Sequence, residues 1–583
     1  MNNSKKWFNN NRKIVLWYFI LIMFALARIV LSAGYVYDYI VSAGMDDMWM
    51  VKTAYYLLGR QWLGTYNHVT LIKSLTYPFM LAFFRAFSIP YGMGIGVFYV
   101  LISFVFARAL KPIVKSVYFR GLIFLSVLYS PVGFLTITSG RIYRNSVSHW
   151  MALFVIASVI GIYLRRDNTF RQLWKWFLCE VVAFMMFWEL REDHIWILAF
   201  VIPASLILLI YWLCHNKKWW KTIIVIVLPF VAVSVMKLGI AGMNYHRYGV
   251  FTTNDRTGTY CGKVMSLLYK IDDGDEHDQR IWVSNGALEQ AKAVSPTLDS
   301  ISWALDSDWN FWKADTIYGA EVPGDHAEWA LRQTMLDAGY YRDAVNTNEF
   351  YKKIYEELSE GFKSGKLKTK KGISISSQMR PFTFEDIDKA LELTFPVVGK
   401  YARFDSPGGI YVAYTTDGMD ERDKSIFENM LLMNITEYGQ NSRDIRFFEG
   451  NYASICYGEF IMGVLDKVWN LYKIISTFLN YISISILIFM FIRMIFELRK
   501  KQFDSFYAFL LTAGILLLLI VYTFMICLWG LWMTLDPGNP IYWFYGSPGP
   551  MLAQVFRILC IVYMYNYISS RIRNKKEKVN EDI

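Results

Sequence analysis

Apolar and polar residues fall in long blocks along this chain. Runs of about 20 apolar residues recur, a length that crosses a hydrocarbon core as a helix rising 1.5 Å per residue. About ten runs read this way: Ile14 to Gly34, Gly92 to Leu110, Val117 to Thr138, Ser146 to Leu164, Trp174 to Leu190, His194 to Leu213, Thr222 to Ala241, Ile474 to Phe496, Phe506 to Met533 and Met551 to Ser570. Every second connection is basic: Lys111, Lys115 and Arg120; Arg165, Arg166 and Arg171; Lys217, Lys218 and Lys221; Arg499, Lys500 and Lys501. Lys5, Lys6, Arg12 and Lys13 precede the first run, and Arg571, Arg573, Lys575, Lys576 and Lys578 follow the last. Basic loops stay on the cytoplasmic side, so the pattern predicts both termini there. The alternate connections are poorer in cations, and Leu535 to Pro550 has none.

Two segments depart from this rhythm. Tyr77 to Phe87 is apolar but too short to span, and reads as a juxtamembrane helix at the outer interface. The stretch from about Asn244 to Lys467 is polar and long enough for a core of its own. Within it Phe350, Ile354, Leu358 and Phe362 repeat at helical spacing, with Thr347 as the expected cap. Gly408 to Tyr414 reads as a short strand. The expected fold is therefore an all-α polytopic membrane bundle with a mixed α/β extracytoplasmic domain. Its parts are a cytoplasmic N-terminus (1–13), a seven-span module (14–241) with a first outer loop at 35–91, the extracytoplasmic domain (242–467), a three-span module (468–570) and a cytoplasmic tail (571–583).

Composition narrows the class. Of 583 residues 55% are hydrophobic, with 42 Phe, 39 Tyr and 21 Trp, which is unlike a soluble domain. The net charge of +11 sits in short loops between apolar runs, so it signals membrane orientation and no nucleic-acid partner. The six cysteines form no C-x-x-C. Cys261 and Cys456, alone in the polar region, read either as a pair or as two separate thiols.

Candidate chemistry starts at Asp46 and Asp47, in the first outer loop. Adjacent carboxylates can act as a general base or hold a divalent cation. The competing reading is that one of them caps a helix from Met48 to Leu58, ended by Gly59. Arg28, Lys237 and Arg557 lie about 9 Å from the outer ends of their spans, counted at 1.5 Å per residue. Buried cations there face a partner, a lipid phosphate or the headgroups. Two compact outer loops, Ser139 to Asn145 and Glu189 to His194, add Arg141, Arg144 and Arg191, whose planar forks match phosphate oxygens. His68 and Lys73 precede the juxtamembrane helix and join the same group.

In their order, one span, the loop with Asp46-Asp47, Gly64-Thr65-Tyr66, Lys73, Tyr77-Pro78, a span ending Ala107-Arg108-Ala109-Leu110 and a span with Ser130-Pro131 ahead of Arg141 resemble the GT-C class of polyprenyl-phosphate-sugar-dependent glycosyltransferases. The family 39 and protein-mannosyltransferase-like members are the nearest in pattern. The resemblance covers about the first 240 residues. It implies an acidic catalytic residue at Asp46 or Asp47, and Lys73, Arg141 or Arg144 at the lipid-linked phosphate. The Lys-Pro-Pro usual in the class is replaced by Lys73-Ser74-Leu75-Thr76-Tyr77-Pro78, and Tyr143-Arg144-Asn145 stands where many members have an Asp.

The expectation is a membrane glycosyltransferase of a bacterial cytoplasmic membrane, moving a sugar from a polyprenyl-phosphate donor to a glycan, lipid or protein acceptor of the cell envelope. Asp46 and Asp47 would be catalytic or would hold a divalent cation, the one cofactor considered. Lys73, His68, Arg141, Arg144, Arg191, Arg28, Lys237 and Arg557 would bind substrate. The rivals are a polymerase or ligase of lipid-linked glycans, and a transporter or flippase without catalysis. Transporters favour repeated halves and broken midplane helices; neither is evident in the sequence.

Overall fold

A computed structural model describes residues 2–37, 45–215, 219–313, 321–410, 420–433 and 452–581, with residues 2–11, 452–456 and 574–581 described by backbone alone. The first half of the chain gives α1 (Asn2–Ala33), α2 (Asp47–Leu58), α3 (Thr76–Ala86), α4 (Tyr91–Ala109), α5 (Val117–Leu128), α6 (Asn145–Tyr163), α7 (Phe170–Trp188), α8 (Leu198–Cys214) and α9 (Trp219–Tyr248). The polar region contributes α10 (Asp255–Gly258), α11 (Tyr260–Leu268), α12 (Asn285–Val294), α13 (Pro296–Asp299), α14 (Ser302–Trp312), α15 (His326–Asp337), α16 (Ala344–Lys363), α17 (Phe384–Arg403) and α18 (Glu421–Leu431). The chain closes with α19 (Tyr452–Arg499), α20 (Asp504–Gly530), α21 (Pro540–Tyr545) and α22 (Pro548–Glu581).

Among the described residues, eight helical segments are long and apolar enough to cross a membrane: Arg12–Ala33, Tyr91–Ala109, Asn145–Tyr163, His194–Cys214, Trp219–Tyr248, Tyr457–Arg499, Asp504–Gly530 and Pro548–Arg573. The protein is thus a polytopic helical membrane protein. The centre is α6, buried along nearly its whole length and packed against α4, α7 and α22. Two of the ten expected spans fall short. Helix α7 has 19 residues but carries Arg171, Lys175 and Glu180. The expected span Val117 to Thr138 stops at Leu128 and continues as a 3-10 turn (Pro131–Gly133) and a π turn (Thr136–Gly140).

That break has a local cause. Pro131 lacks an N–H and pushes Ser130 out of the helical region; Ser130 is extended, with ψ 129°. The carbonyls freed by the break need donors. Thr138 and Ser139 each donate a hydroxyl to the Val132 carbonyl at 2.7 Å. Arg28 reaches across from α1 and donates to the Leu128 carbonyl at 3.3 Å, the Gly133 carbonyl at 2.9 Å and Ser32 Oγ at 2.6 Å.

The polar region is helical where it is described, and the expected mixed α/β domain gives way to helices. Strand is confined to one antiparallel pair, β1 (Ile271–Asp272) with β2 (Lys368–Thr369), and two isolated bridges. Of the described residues, 73% are helix and 2% strand. The repeat at Phe350 does form a helix, α16, but Asp343 is its cap: the Asp343 side chain accepts from the Asn346 N–H, while Thr347 lies one turn inside. Of the expected strand Gly408 to Tyr414, residues 411–414 lie outside the described residues. Cys261 is a buried free thiol, and the side chain of Cys456 is outside the described set. A hydrophobic core around Trp282, Leu331, Ile354 and Leu358 organises this region and extends to Trp532, beyond α20.

Replacing Arg28 by Leu leaves two buried carbonyls without their donor. At about 1–3 kcal/mol for each unsatisfied group, the detergent-solubilised protein is expected to lose at least about 2 kcal/mol of stability. Lys237→Leu, at a half-exposed side chain, should change the thermal midpoint little. Equal midpoints for Arg28→Leu and the parent would show that the break is held by other means.

Candidate functional site

The chain break supplies one wall of the candidate site. Beyond the π turn the backbone is extended at Arg141 and turns into α6 at Arg144. This aims Arg141, Tyr143 and Arg144 at the start of α2. There Asp46 stands at the N-cap position and Asp47 in the first turn, yet the Asp46 side chain makes no capping bond. Both carboxylates turn towards Arg141.

The guanidinium of Arg141 donates from Nε to Asp47 Oδ2 at 2.9 Å, and its Nη2 stands 2.8 Å from Oδ1 in ion-pair contact. The same Nη2 reaches Asp46 Oδ2 at 3.3 Å. Lys73, carried by the loop before α3, donates to Asp46 Oδ1 and to the Tyr143 hydroxyl, the latter at 3.1 Å. Arg144 donates to the Tyr143 hydroxyl at 3.2 Å and to both oxygens of Glu192 at 3.0 and 2.8 Å. Glu192 also accepts the Ser74 N–H at 2.8 Å and hydroxyl at 3.1 Å, which fixes the residue beside Lys73. Arg191 donates to Asn145 Oδ1 at 2.8 Å and forks onto Asp193 at 2.9 and 2.5 Å.

Four cations, Lys73, Arg141, Arg144 and Arg191, thus face four carboxylates, Asp46, Asp47, Glu192 and Asp193. The cluster is balanced in charge. It is not uniform in exposure: Asp47 is 0% exposed and Asp46 31%. Burial raises the Asp46 pKa, but Lys73 and Arg141 together outweigh it and hold the carboxyl at about 2. Glu192 is likewise held at about 2, its burial overcome by Arg144 and by backbone N–H groups. Burial dominates at Lys73 and brings its ammonium down to about 8, with Asp46 opposing the shift.

The C-terminal module closes the site with aromatic rings. Phe544 of α21 stacks on Tyr143, with ring centroids 5.8 Å apart and planes 10° from parallel. The Arg141 guanidinium lies 5.0 Å from the Tyr143 ring and 5.4 Å from the Phe544 ring. Asn145 donates its amide to the Phe544 carbonyl at 3.0 Å, and Arg191 sits 5.4 Å from the Tyr545 ring.

Of the expected site residues, Asp46, Asp47, Lys73, Arg141, Arg144 and Arg191 come together in this network. The other four do not join it. Arg28 serves the helix break. Arg557 donates to the Ala402 carbonyl and to Asn480 Oδ1. Lys237 approaches Glu189 at 3.9 Å. The His68 ring lies against Tyr341, and its carbonyl accepts from Arg332 at 3.0 Å. Counting residues along a span gives depth, but not the direction in which the side chain points. Sequence reasoning assigned no role to Glu192, Asp193, Tyr143, Asn145, Phe544 or Tyr545. The aromatic run Tyr542-Trp543-Phe544-Tyr545 in a loop without basic residues was the available signal for the last two.

Among the described residues, no three His, Cys, Asp or Glu side chains converge as metal ligands. Both Asp47 oxygens face Arg141. No protein family, curated protein or solved structure matches the chain.

The depressed carboxyls make stability depend on acid. A carboxylate whose folded pKa is lowered stabilises above its unfolded value and loses that contribution as pH falls through the folded one. For Asp46 and Glu192 the window runs from about 4 to about 2. Thermal midpoints should be flat from pH 7 to 5 and fall below pH 4, with a shallower fall in Glu192→Gln. An identical acid slope in parent and variant would remove Glu192 from the network.

Proposed function

We propose that this protein is a glycosyltransferase of a bacterial cytoplasmic membrane. It moves a sugar from a polyprenyl-phosphate donor to an acceptor of the cell envelope on the outer face. One observation carries the reading: carboxylates and Lys73 of the first loop meet cations from two later segments in a single network of the helical membrane bundle. The resemblance of the first 240 or so residues to the GT-C class is consistent with it.

In the transfer, an acceptor oxygen attacks the anomeric carbon, and the bond from that carbon to the donor phosphate oxygen breaks. The acceptor proton passes to a carboxylate, and the phosphate leaves with the bonding pair. Positioned cations stabilise that developing charge; Lys73, Arg141 and Arg144 are the groups available. Because the resting cluster is already balanced, an arriving phosphate must displace a carboxylate. Asp46 is the one that can move, being the more exposed and held by Lys73 and by the longer contact to Arg141. Once released from two cations, its pKa rises towards the ordinary carboxylate range, which makes it a better proton acceptor. Asp47 stays on Arg141 and keeps the guanidinium aimed.

Two substitutions test the division of labour. Asp46→Asn should bind polyprenyl phosphate about 10-fold more tightly, because the internal competitor is gone, and should transfer sugar poorly. Asp47→Asn should lower both binding and transfer when compared at equal amounts of folded protein. Native mass spectrometry reads the binding, and incorporation of radiolabelled sugar from lipid-linked donor reads the transfer. Parent-like values for both variants would remove the acidic pair from the active site.

A further inference from the structure

Helix α17 belongs by sequence to the polar region, yet it packs against α19, α20 and α22, the three C-terminal spans. Its inner face is buried through Ala390, Leu393, Thr394, Val397 and Tyr401. Tyr401 donates to the Tyr542 carbonyl and sets its ring edge-on to Trp543 at 5.3 Å. The same ring closes over Gly546 and Gly549, where any Cβ would collide with it. The Ala402 carbonyl accepts from Asn480 of α19 at 2.9 Å and from Arg557 of α22. The helix is thus bonded to the bundle around the start of α22.

Beside this buried face, α17 carries an exposed apolar stripe. Phe384, Leu391 and Phe395 stand at i, i+7 and i+11. At about 100° per residue they share one line within about 40°. Phe384 is 79% and Phe395 63% exposed, and Leu391 is exposed beside them. Asp388 and Glu392 border the stripe on the side away from the buried face, with Glu385 and Lys389 beyond them. A contiguous apolar stripe of this size on a soluble surface is unusual and marks an interaction. On α19, Ile474, Phe478 and Ile482 form an exposed apolar face of their own, on the side of that helix turned away from the Asn480 that holds Ala402.

We propose that α17 is a membrane-interface helix: Phe384, Leu391 and Phe395 enter the lipid layer at the rim of the bundle. The partner is the acyl and headgroup boundary of the bilayer. An exposed apolar stripe suits that layer, and the helix that bears it packs its buried face on three spans, which sets the stripe beside the bundle. The helix also bears on the candidate site, since α21 holds Tyr542 and Trp543 against α17 and Phe544 against Tyr143. The lipid surface therefore supports one aromatic wall of the cluster. The inference rests on the membrane reading and is independent of any sugar chemistry.

Hydroxyl-radical footprinting of the wild-type protein in lipid nanodiscs tests it, with peptide-resolved mass spectrometry. Phe311 of α14, 80% exposed and on a helix that packs on α15, is the water-facing reference; Phe478 of α19 is the lipid-facing one. Leu391 and Phe395 should be oxidised at least about 10-fold more slowly than Phe311, matching Phe478. A diazirine-bearing phospholipid should label the α17 peptide. Oxidation at the rate of Phe311 overturns the proposal, and so does protection without lipid labelling, which would mean a protein cover. Fast oxidation of Phe478 itself would instead overturn the membrane reading on which it rests.

Discussion

The pairing of Asp47 with Arg141 joins the two halves of the candidate site. A carboxylate with no exposure is costly unless a cation and hydrogen bonds compensate it. Arg141 provides the cation, a hydrogen bond through Nε and an ion-pair contact through Nη2. The pair ties the start of α2 to the segment that follows the broken span. Lys73, Tyr143, Arg144 and Glu192 then assemble around it, each bonded to the next. If the break straightened into a helix, Arg141 would be carried away from α2. The site therefore depends on a local failure of regular structure, and that failure depends on Pro131 and on the donors that Arg28, Thr138 and Ser139 bring to the freed carbonyls.

Charge balance shapes what the cluster can do. A site with surplus cations would bind any phosphate on arrival. Here the cations already have partners, and an incoming anion gains only the difference between its own contacts and those of the carboxylate it displaces. Under the proposed function, such a site would discriminate by geometry and by the remainder of the ligand rather than by charge alone. The aromatic wall of Phe544 and Tyr143 is placed to take part in that discrimination, because it brackets the same guanidinium. Its position is set through α21 by Asn145 on one side and Tyr401 on the other.

Much of this architecture was legible in the sequence, and the reasons for the misses are physical. Long apolar runs mark spans because length and hydropathy alone decide them, and eight of the expected segments qualify. Adjacent Asp residues in the first loop, Lys73 and two arginine-bearing loops were sound indicators because buried charge needs opposite charge nearby. Arg28, Lys237 and Arg557 misled because depth in a span says nothing of azimuth. Arg28 met backbone carbonyls that exist only after Pro131 has broken the helix. Helix α17 was hidden in a polar stretch, since amphipathic periodicity does not say which solvent its apolar stripe will meet. The mixed α/β expectation rested on Gly408 to Tyr414, an isolated apolar run without a partner strand nearby in sequence.

The claim that everything hangs on Asp47 and Arg141 acting as one unit is open to a double-mutant cycle. Thermal stability is compared for the parent, Asp47→Asn, Arg141→Gln and the double variant in the same detergent. The account predicts that each single change is costly, that the double variant loses little more than either one, and that the coupling is about 1–3 kcal/mol. Strictly additive losses, with coupling near zero, would contradict it.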